Sequence, residues 1–193
     1  MNAATRKINI NRQLIFYHVL GHTLTQWAHV EWALTEILCV PDTGIESLAL
    51  RRSFLELSLT SKLDFITVMI QTYAPMHSNR WGDIKKDILG KSKMRNKMAH
   101  WHAVLDKTDR PKEEMRIAPW FELGGNRDEK SLNTFEIYQA RFKFFSVLAQ
   151  IRNFAAELKG LPPVFDKKNE IPLEATQQML EQELDAMCAE AGL

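Results

Sequence analysis

Three residues close together in the sequence, Arg95, Asn96 and His100, could act jointly on a phosphodiester. Histidine transfers protons near neutral pH, and arginine presents a planar, permanently charged set of donors to phosphate oxygens. On a helix, Asn96 and His100 share a face one turn apart, and the long side chain of Arg95, about 100° round the helix, can bend back towards them. The amide can orient either partner. The trio therefore predicts phosphodiester cleavage, a reaction for which these residues require no metal ion.

The stretch Arg95-Asn96-x-x-x-His100, late in a basic helix, resembles the signature of the HEPN family. That signature is an arginine, then four to six residues, then a histidine; an asparagine often follows the arginine, and a pair like Ala99-His100 is common. HEPN proteins are helical domains that usually dimerise. The family includes metal-independent endoribonucleases, among them toxins of toxin–antitoxin and phage-defence systems.

This resemblance implies a role for each residue of the motif. Arg95 would bind phosphate, His100 would transfer the proton, and Asn96 would orient them, with attack by the ribose 2′-hydroxyl giving a cyclic phosphate. In active members both subunits line one cleft at the dimer interface, so a homodimer is expected, with RNA as substrate and an antitoxin protein as a further candidate partner. No cofactor is implied. By architecture the resemblance covers about Asn11 to Lys159.

Two other functions remain open from the sequence. A HEPN-like domain could bind nucleotide or RNA, or mediate assembly, without catalysis, and a helical scaffold or transcriptional protein would have no nucleotide role. Arg95 would then form a surface ion pair, and His100 would lie near a helix C-terminus, where the helix dipole favours it. The spacing alone decides little, since Arg12 and His18 also match it without the asparagine.

Glu31 is a second informative residue, because it falls within an apolar helical stripe. A carboxylate in such a place is costly unless it is paired. One interpretation pairs it with Arg51 or Arg52. The other has it reach Arg95 or His100 and fix the rotamer, in which case Glu31→Gln is expected to lower activity without unfolding the protein.

Four neighbours of the motif are candidates for supporting roles. Lys93 and Lys97 could contact RNA, and His102 could assist His100 or be an exposed neighbour. Trp101 is a candidate for stacking on a base, although tryptophans serve more often as core or dimer anchors.

His18 and His22, one helical turn apart, could form one edge of a metal site. No motif supplies a third ligand. We therefore predict packing or an interface for these two histidines, and no metal.

The pattern of apolar residues predicts an all-α bundle of about five helices with a polar insertion and a C-terminal helix. The resemblance implies that this is an up-and-down HEPN-like bundle. Residues 1–10 form a tail, 11–160 the bundle with its insertion at about 106–133, and 161–193 a linker and acidic helix. Five of the predicted helices cover about 11–40, 45–57, 60–73, 133–159 and 173–191. A sixth begins near 81 and ends between 101 and 105.

Composition and charge limit where the protein acts and which partners it can bind. Two cysteines in 193 residues and no apolar run long enough to span a bilayer predict a cytoplasmic protein without membrane association. The stretch from Trp81 to His100 contains six basic and two acidic residues, a net charge of +4, whereas the stretch from Glu170 to Leu193 has a net charge of −6. The acidic helix either packs on the bundle or the other subunit, or covers the basic helix and competes with RNA.

Overall fold

The computed structural model of this chain describes residues 3–38, 48–106, 114–119 and 131–165, together with positions 175, 178–179, 181–183 and 185–186. The predicted helices 45–57 and 173–191 are therefore described only in part. The stretches 39–47, 107–113 and 120–130, the last of which includes Trp120, lie outside the described residues.

Long helices dominate the structure, which confirms the predicted all-α bundle. The helices are α1 (Ala3–Leu38), α2 (Leu48–Glu56), α3 (Leu59–Tyr73), a 3₁₀ turn (Pro75–His77), α4 (Ser78–His100) and α5 (Thr134–Leu158). The described positions of the C-terminal segment, from 175 to 186, are also helical. No described helix is long and apolar enough to cross a membrane.

The insertion contributes a small antiparallel sheet. Its strands, in spatial order, are β1 (His102–Asp106), β2 (Glu114–Ala118) and β3 (Leu132–Asn133). Ile117 pairs with Ala103 on one side and with Leu132 on the other, so β2 is the central strand. From the sequence, Met115 to Leu123 could form one arm of a short hairpin, but Pro119 argues against a central strand. The proline does not interrupt the ladder, since it follows the last residue of β2.

Helix boundaries depart from the prediction at several places, including the start of α4 at Ser78 instead of 81. α1 begins at Ala3, well before the predicted Asn11. α3 begins at Leu59 and is capped by Ser58, whose hydroxyl accepts from the amide of Ser61, whereas the sequence predicts a start at 60 with Thr60 or Ser61 as the cap. α4 ends at His100, and the following residues form β1 instead of extending the helix.

The chain forms two compact units, each built from separate stretches. The first takes residues 1–25, 93–142 and 171–193, and the second takes 26–92 and 143–170. The predicted division into 1–10, 11–160 and 161–193 stays a prediction.

Aromatic contacts join the helices of the second unit. Trp81 of α4 stacks on Phe154 of α5 with ring centroids 5.9 Å apart, and its indole nitrogen donates to the hydroxyl of Thr67 in α3 at 2.9 Å. Trp27 of α1 meets Phe144 of α5 edge-on at 4.9 Å. These four aromatic rings are buried, so large apolar areas removed from water stabilise the packing of α1, α3, α4 and α5.

In the first unit, α1 and α5 are joined by a polar contact within the core. The buried hydroxyl of Thr23 lies 2.8 Å from the carbonyl oxygen of Val19 and 3.3 Å from that of Ile137. α5 begins with a capping box, in which Asn133 and Glu136 exchange side-chain and backbone hydrogen bonds. This box fixes the start of α5 directly after the sheet.

Candidate functional site

The last turns of α4 carry the motif, and one buried residue anchors them. Met98 is 3% exposed, whereas Asn96, Ala99 and His100 are exposed to solvent. Because residues 96 and 100 are one turn apart in an unbroken helix, Asn96 and His100 lie on the same open face. The helical placement predicted for the motif is therefore present.

Arg95 and Asn96 are in direct contact. A terminal nitrogen of the guanidinium, Nη1, donates to Oδ1 of Asn96 at 3.1 Å. Arg95 is half-buried and Asn96 is exposed. The amide thus restrains the guanidinium, one of the two orienting roles that the sequence left open for it.

His100 is the final residue of α4 and is open to solvent. The amide of Trp101 still donates to the carbonyl oxygen of Lys97 at 2.9 Å, so the helical hydrogen bonding continues to the end of the motif. An imidazole in this position can reach a ligand that approaches from solvent.

The supporting candidates surround this helix end. The Lys97 ammonium lies 4.7 Å from the centroid of the half-buried Trp101 ring, a cation–π contact. Lys93 is exposed, and so is His102, the first residue of β1. A base that stacked on the Trp101 face covered by Lys97 would have to displace the ammonium.

Ion pairs offset part of the positive charge of α4. The ammonium of Lys85 lies 2.8 Å from Asp64, and Lys91 pairs with Asp87 one turn earlier in the same helix. Asp87 is already part of the +4 counted from Trp81 to His100, so of these two acids Asp64 is the one that further lowers the charge available to an anion.

Glu31 has partners that the sequence did not name. Its carboxylate accepts from the indole nitrogen of Trp27 at 2.7 Å and pairs with the ammonium of Lys62 at 3.3 Å. Lys62 is 5% exposed, so the pair brings a second charge into the apolar interior. The cation described beside Glu31 is thus neither Arg51 nor Arg52, and contact of Glu31 with the motif stays a prediction.

Glu183, in the acidic C-terminal segment, is the centre of a cluster that sequence reasoning missed. Its carboxylate accepts from Tyr138 and Arg141 of α5 at 3.1 Å each, and Nε2 of His18 in α1 lies 3.6 Å away. Burial, followed by the negative charge of Glu183, raises the pKa of Tyr138 to about 12. The segment therefore contacts helices of its own chain. Leu180 and Leu184, two of the apolar residues of the predicted helix 173–191, lie outside the described residues.

The two histidines of α1 are in contact. The rings of His18 and His22 lie 4.3 Å apart. In the part of the chain that the structure describes, no three His, Cys, Asp or Glu side chains are grouped so that they could hold a metal ion.

The second unit contains a cavity of about 530 Å³ at the C-terminal end of α5. Its wall includes Arg80 and Glu157, which form an ion pair, and Nδ1 of His77 lies 3.1 Å from the same carboxylate. Asn153 closes one side through two hydrogen bonds of 2.8 Å to the backbone of Phe165. The polar groups of this wall thus have partners within the protein.

Comparison with known proteins adds no assignment: no protein-family model, no curated protein and no solved structure matches this chain.

Proposed function

We propose that this chain is a metal-independent endoribonuclease of HEPN type that acts as a homodimer. The observation that carries the proposal is the end of α4, where Arg95 is hydrogen-bonded to Asn96 and His100 is exposed on the same face as Asn96. A guanidinium restrained by an amide, with a solvent-accessible imidazole five residues further along the same helix, supplies the donors and the proton-transfer group that phosphodiester cleavage requires.

In this proposal the ribose 2′-hydroxyl is the nucleophile. His100 takes its proton, the 2′-oxygen forms a bond to phosphorus, and the bond from phosphorus to the 5′-oxygen breaks. His100 of the partner subunit protonates the leaving oxygen, and Arg95 stabilises the charge that builds on the non-bridging oxygens. The products are a 2′,3′-cyclic phosphate and a 5′-hydroxyl, so every atom and proton is accounted for.

The first test is cleavage of single-stranded RNA by the purified chain in EDTA. We expect Arg95→Ala and His100→Ala each to lower the rate by about 10²–10³-fold. Asn96→Ala, which leaves both reacting groups in place, should lower it by about tenfold. The matched controls are Arg52→Ala and His29→Ala, which remove an exposed arginine and an exposed histidine of the second unit and should cleave normally.

The products supply an independent criterion. RNA with a single 2′-deoxyribose at the cleavage site should resist cleavage there, and the 3′ end should carry a cyclic phosphate. Cleavage that persists in His100→Ala, or that ignores the 2′-deoxy substitution, would rule out the proposed chemistry.

A second candidate is RNA binding without cleavage, which the contact between Lys97 and Trp101 favours. Paired cationic and aromatic side chains bind single-stranded nucleic acid through the backbone and the base faces. Salt-dependent RNA binding that Trp101→Ala weakens, with no product in EDTA or Mg²⁺, would support this candidate. A toxin role would add an antitoxin protein as partner, and a small adjacent reading frame would support that role.

A further inference from the structure

Glu183 joins the C-terminal segment to two helices of the first unit. Arg141 donates through Nη1 to both of its carboxylate oxygens at 3.1 Å, and the Tyr138 hydroxyl donates to Oε2 at the same distance. Nε2 of His18 lies 3.6 Å from Oε1, and the ring of His22 packs against that of His18. Donors from α1 and α5 therefore converge on one anion.

A phosphate group would find the same donors. Guanidinium, phenol and imidazole all donate to phosphate oxygens as they do to carboxylate oxygens, and arginine binds both anions strongly. The Tyr138 hydroxyl is protonated at neutral pH, because an ordinary phenol has a pKa of about 10 and burial raises it further, so the hydroxyl is a donor. The side chains of Arg141, His18 and Glu183 are about one third exposed, so solvent reaches these three groups, whereas Tyr138 is buried.

We propose that Arg141, Tyr138 and His18 form a phosphate-binding site that Glu183 occupies as an internal substitute, so that a bound phosphate group and the docked C-terminal segment exclude each other. The segment from Glu170 to Leu193 carries six acidic residues and no basic one. Its charge opposes its return while an anion is bound, because like charges repel. Docking thus limits access to the site, and this inference does not depend on RNA cleavage.

The test is the affinity of the full-length chain for inorganic phosphate at constant ionic strength, measured by calorimetry. We expect Glu183→Gln, which removes the internal anion, to bind at least tenfold more tightly than the unmodified chain. Asp185→Asn removes one charge from the same segment at an exposed position and should change the affinity by less than twofold. An equal gain in both variants would make the effect one of overall charge and overturn the proposal, as would no gain in Glu183→Gln.

Arg141 supplies the second criterion. Adding Arg141→Ala to Glu183→Gln should abolish the gain, and a gain that survives places the anion elsewhere. If that double variant does not fold, hydrogen exchange on the unmodified chain tests whether phosphate displaces the segment. Phosphate should accelerate exchange at residues 181–183 relative to chloride of equal ionic strength, because competition is reciprocal. Unchanged exchange at saturating phosphate would overturn the proposal.

A six-nucleotide RNA distinguishes the source of the phosphate group. Release of the segment by both RNA and inorganic phosphate identifies the RNA backbone as a ligand, whereas release by inorganic phosphate alone identifies a small phosphate compound. If RNA cleavage is absent while Glu183→Gln still gains phosphate affinity, the proposed nuclease function fails and the phosphate site stands.

Discussion

Among the described residues, Lys62 is the charged residue that lies in the core. The carboxylate of Glu31 makes this possible because it pairs with the Lys62 ammonium. A buried ammonium without a counter-charge would lose several kcal/mol of hydration free energy that nothing replaces. Glu31 accepts from Trp27 as well, so one carboxylate satisfies two groups of the second unit. The pattern of apolar residues marked Glu31 as costly, but it could not identify the partner. That choice depends on which side chain of α3 packs against α1.

This contact changes the expected effect of Glu31→Gln. The amide can still accept from Trp27 but leaves the Lys62 charge uncompensated, so the free energy of unfolding should fall by about 1–3 kcal/mol. Adding Lys62→Met should recover most of that loss. The control is Asp64→Asn, which weakens an exposed pair with Lys85 and should cost less than about 0.5 kcal/mol. Urea denaturation of the four proteins measures these values.

Activity measured on the same variants tests the predicted contact with the motif. A rate that falls only as the unfolded fraction grows gives Glu31 a purely structural role. A loss of rate in fully folded Glu31→Gln would connect it to Arg95 or His100.

At the scale of elements, Gly160, which directly follows the predicted helix 133–159, fits the observed end of α5 at Leu158. Gly160 adopts a φ of 66°, and its amide donates to the carbonyl oxygen of Glu157 at 2.9 Å. The left-handed conformation at a helix end favours glycine, because a Cβ would be sterically strained there. A glycine at this position can therefore be recognised from the sequence alone. The strand after α4 was missed because β1 is defined by its pairing with β2, whose residues lie 8 to 16 positions further along the chain, and no pattern within His102–Asp106 reveals that pairing. The docking of Glu183 escaped prediction for the same reason.

Replacing each of two glycines with alanine should change the free energy of unfolding in opposite directions. Gly160→Ala forces a side chain into the left-handed region and should lower the free energy of unfolding by about 1–2 kcal/mol. Gly90, within α4, has no atom within 4 Å of an added Cβ, so Gly90→Ala should raise it by about 0.5–1 kcal/mol. Urea denaturation compares the two, and a Gly160→Ala variant as stable as the unmodified protein would contradict the role given to the turn.

At the scale of the whole molecule, the distribution of charge matters more than its sum. The net charge is +1, yet a basic helix end in the first unit carries the motif, and an acidic segment contacts α1 and α5 of that unit. A homodimer would bring two such helix ends together if the twofold axis passes near them. The proposed mechanism needs that arrangement, because it takes the base from one subunit and the acid from the other.

Mixed dimers test this arrangement without a structure of the complex. A ninefold excess of His100→Ala, allowed to exchange with the unmodified chain, places about nine tenths of the active subunits beside an inactive partner. The cleavage rate should then fall about tenfold, because each site lacks one of its two imidazoles. The same mixture assayed before subunits exchange should keep the original rate. If mass-tagged chains prove that exchange is complete while the rate is unchanged, each subunit cleaves alone, and His100 must act with water rather than with its partner.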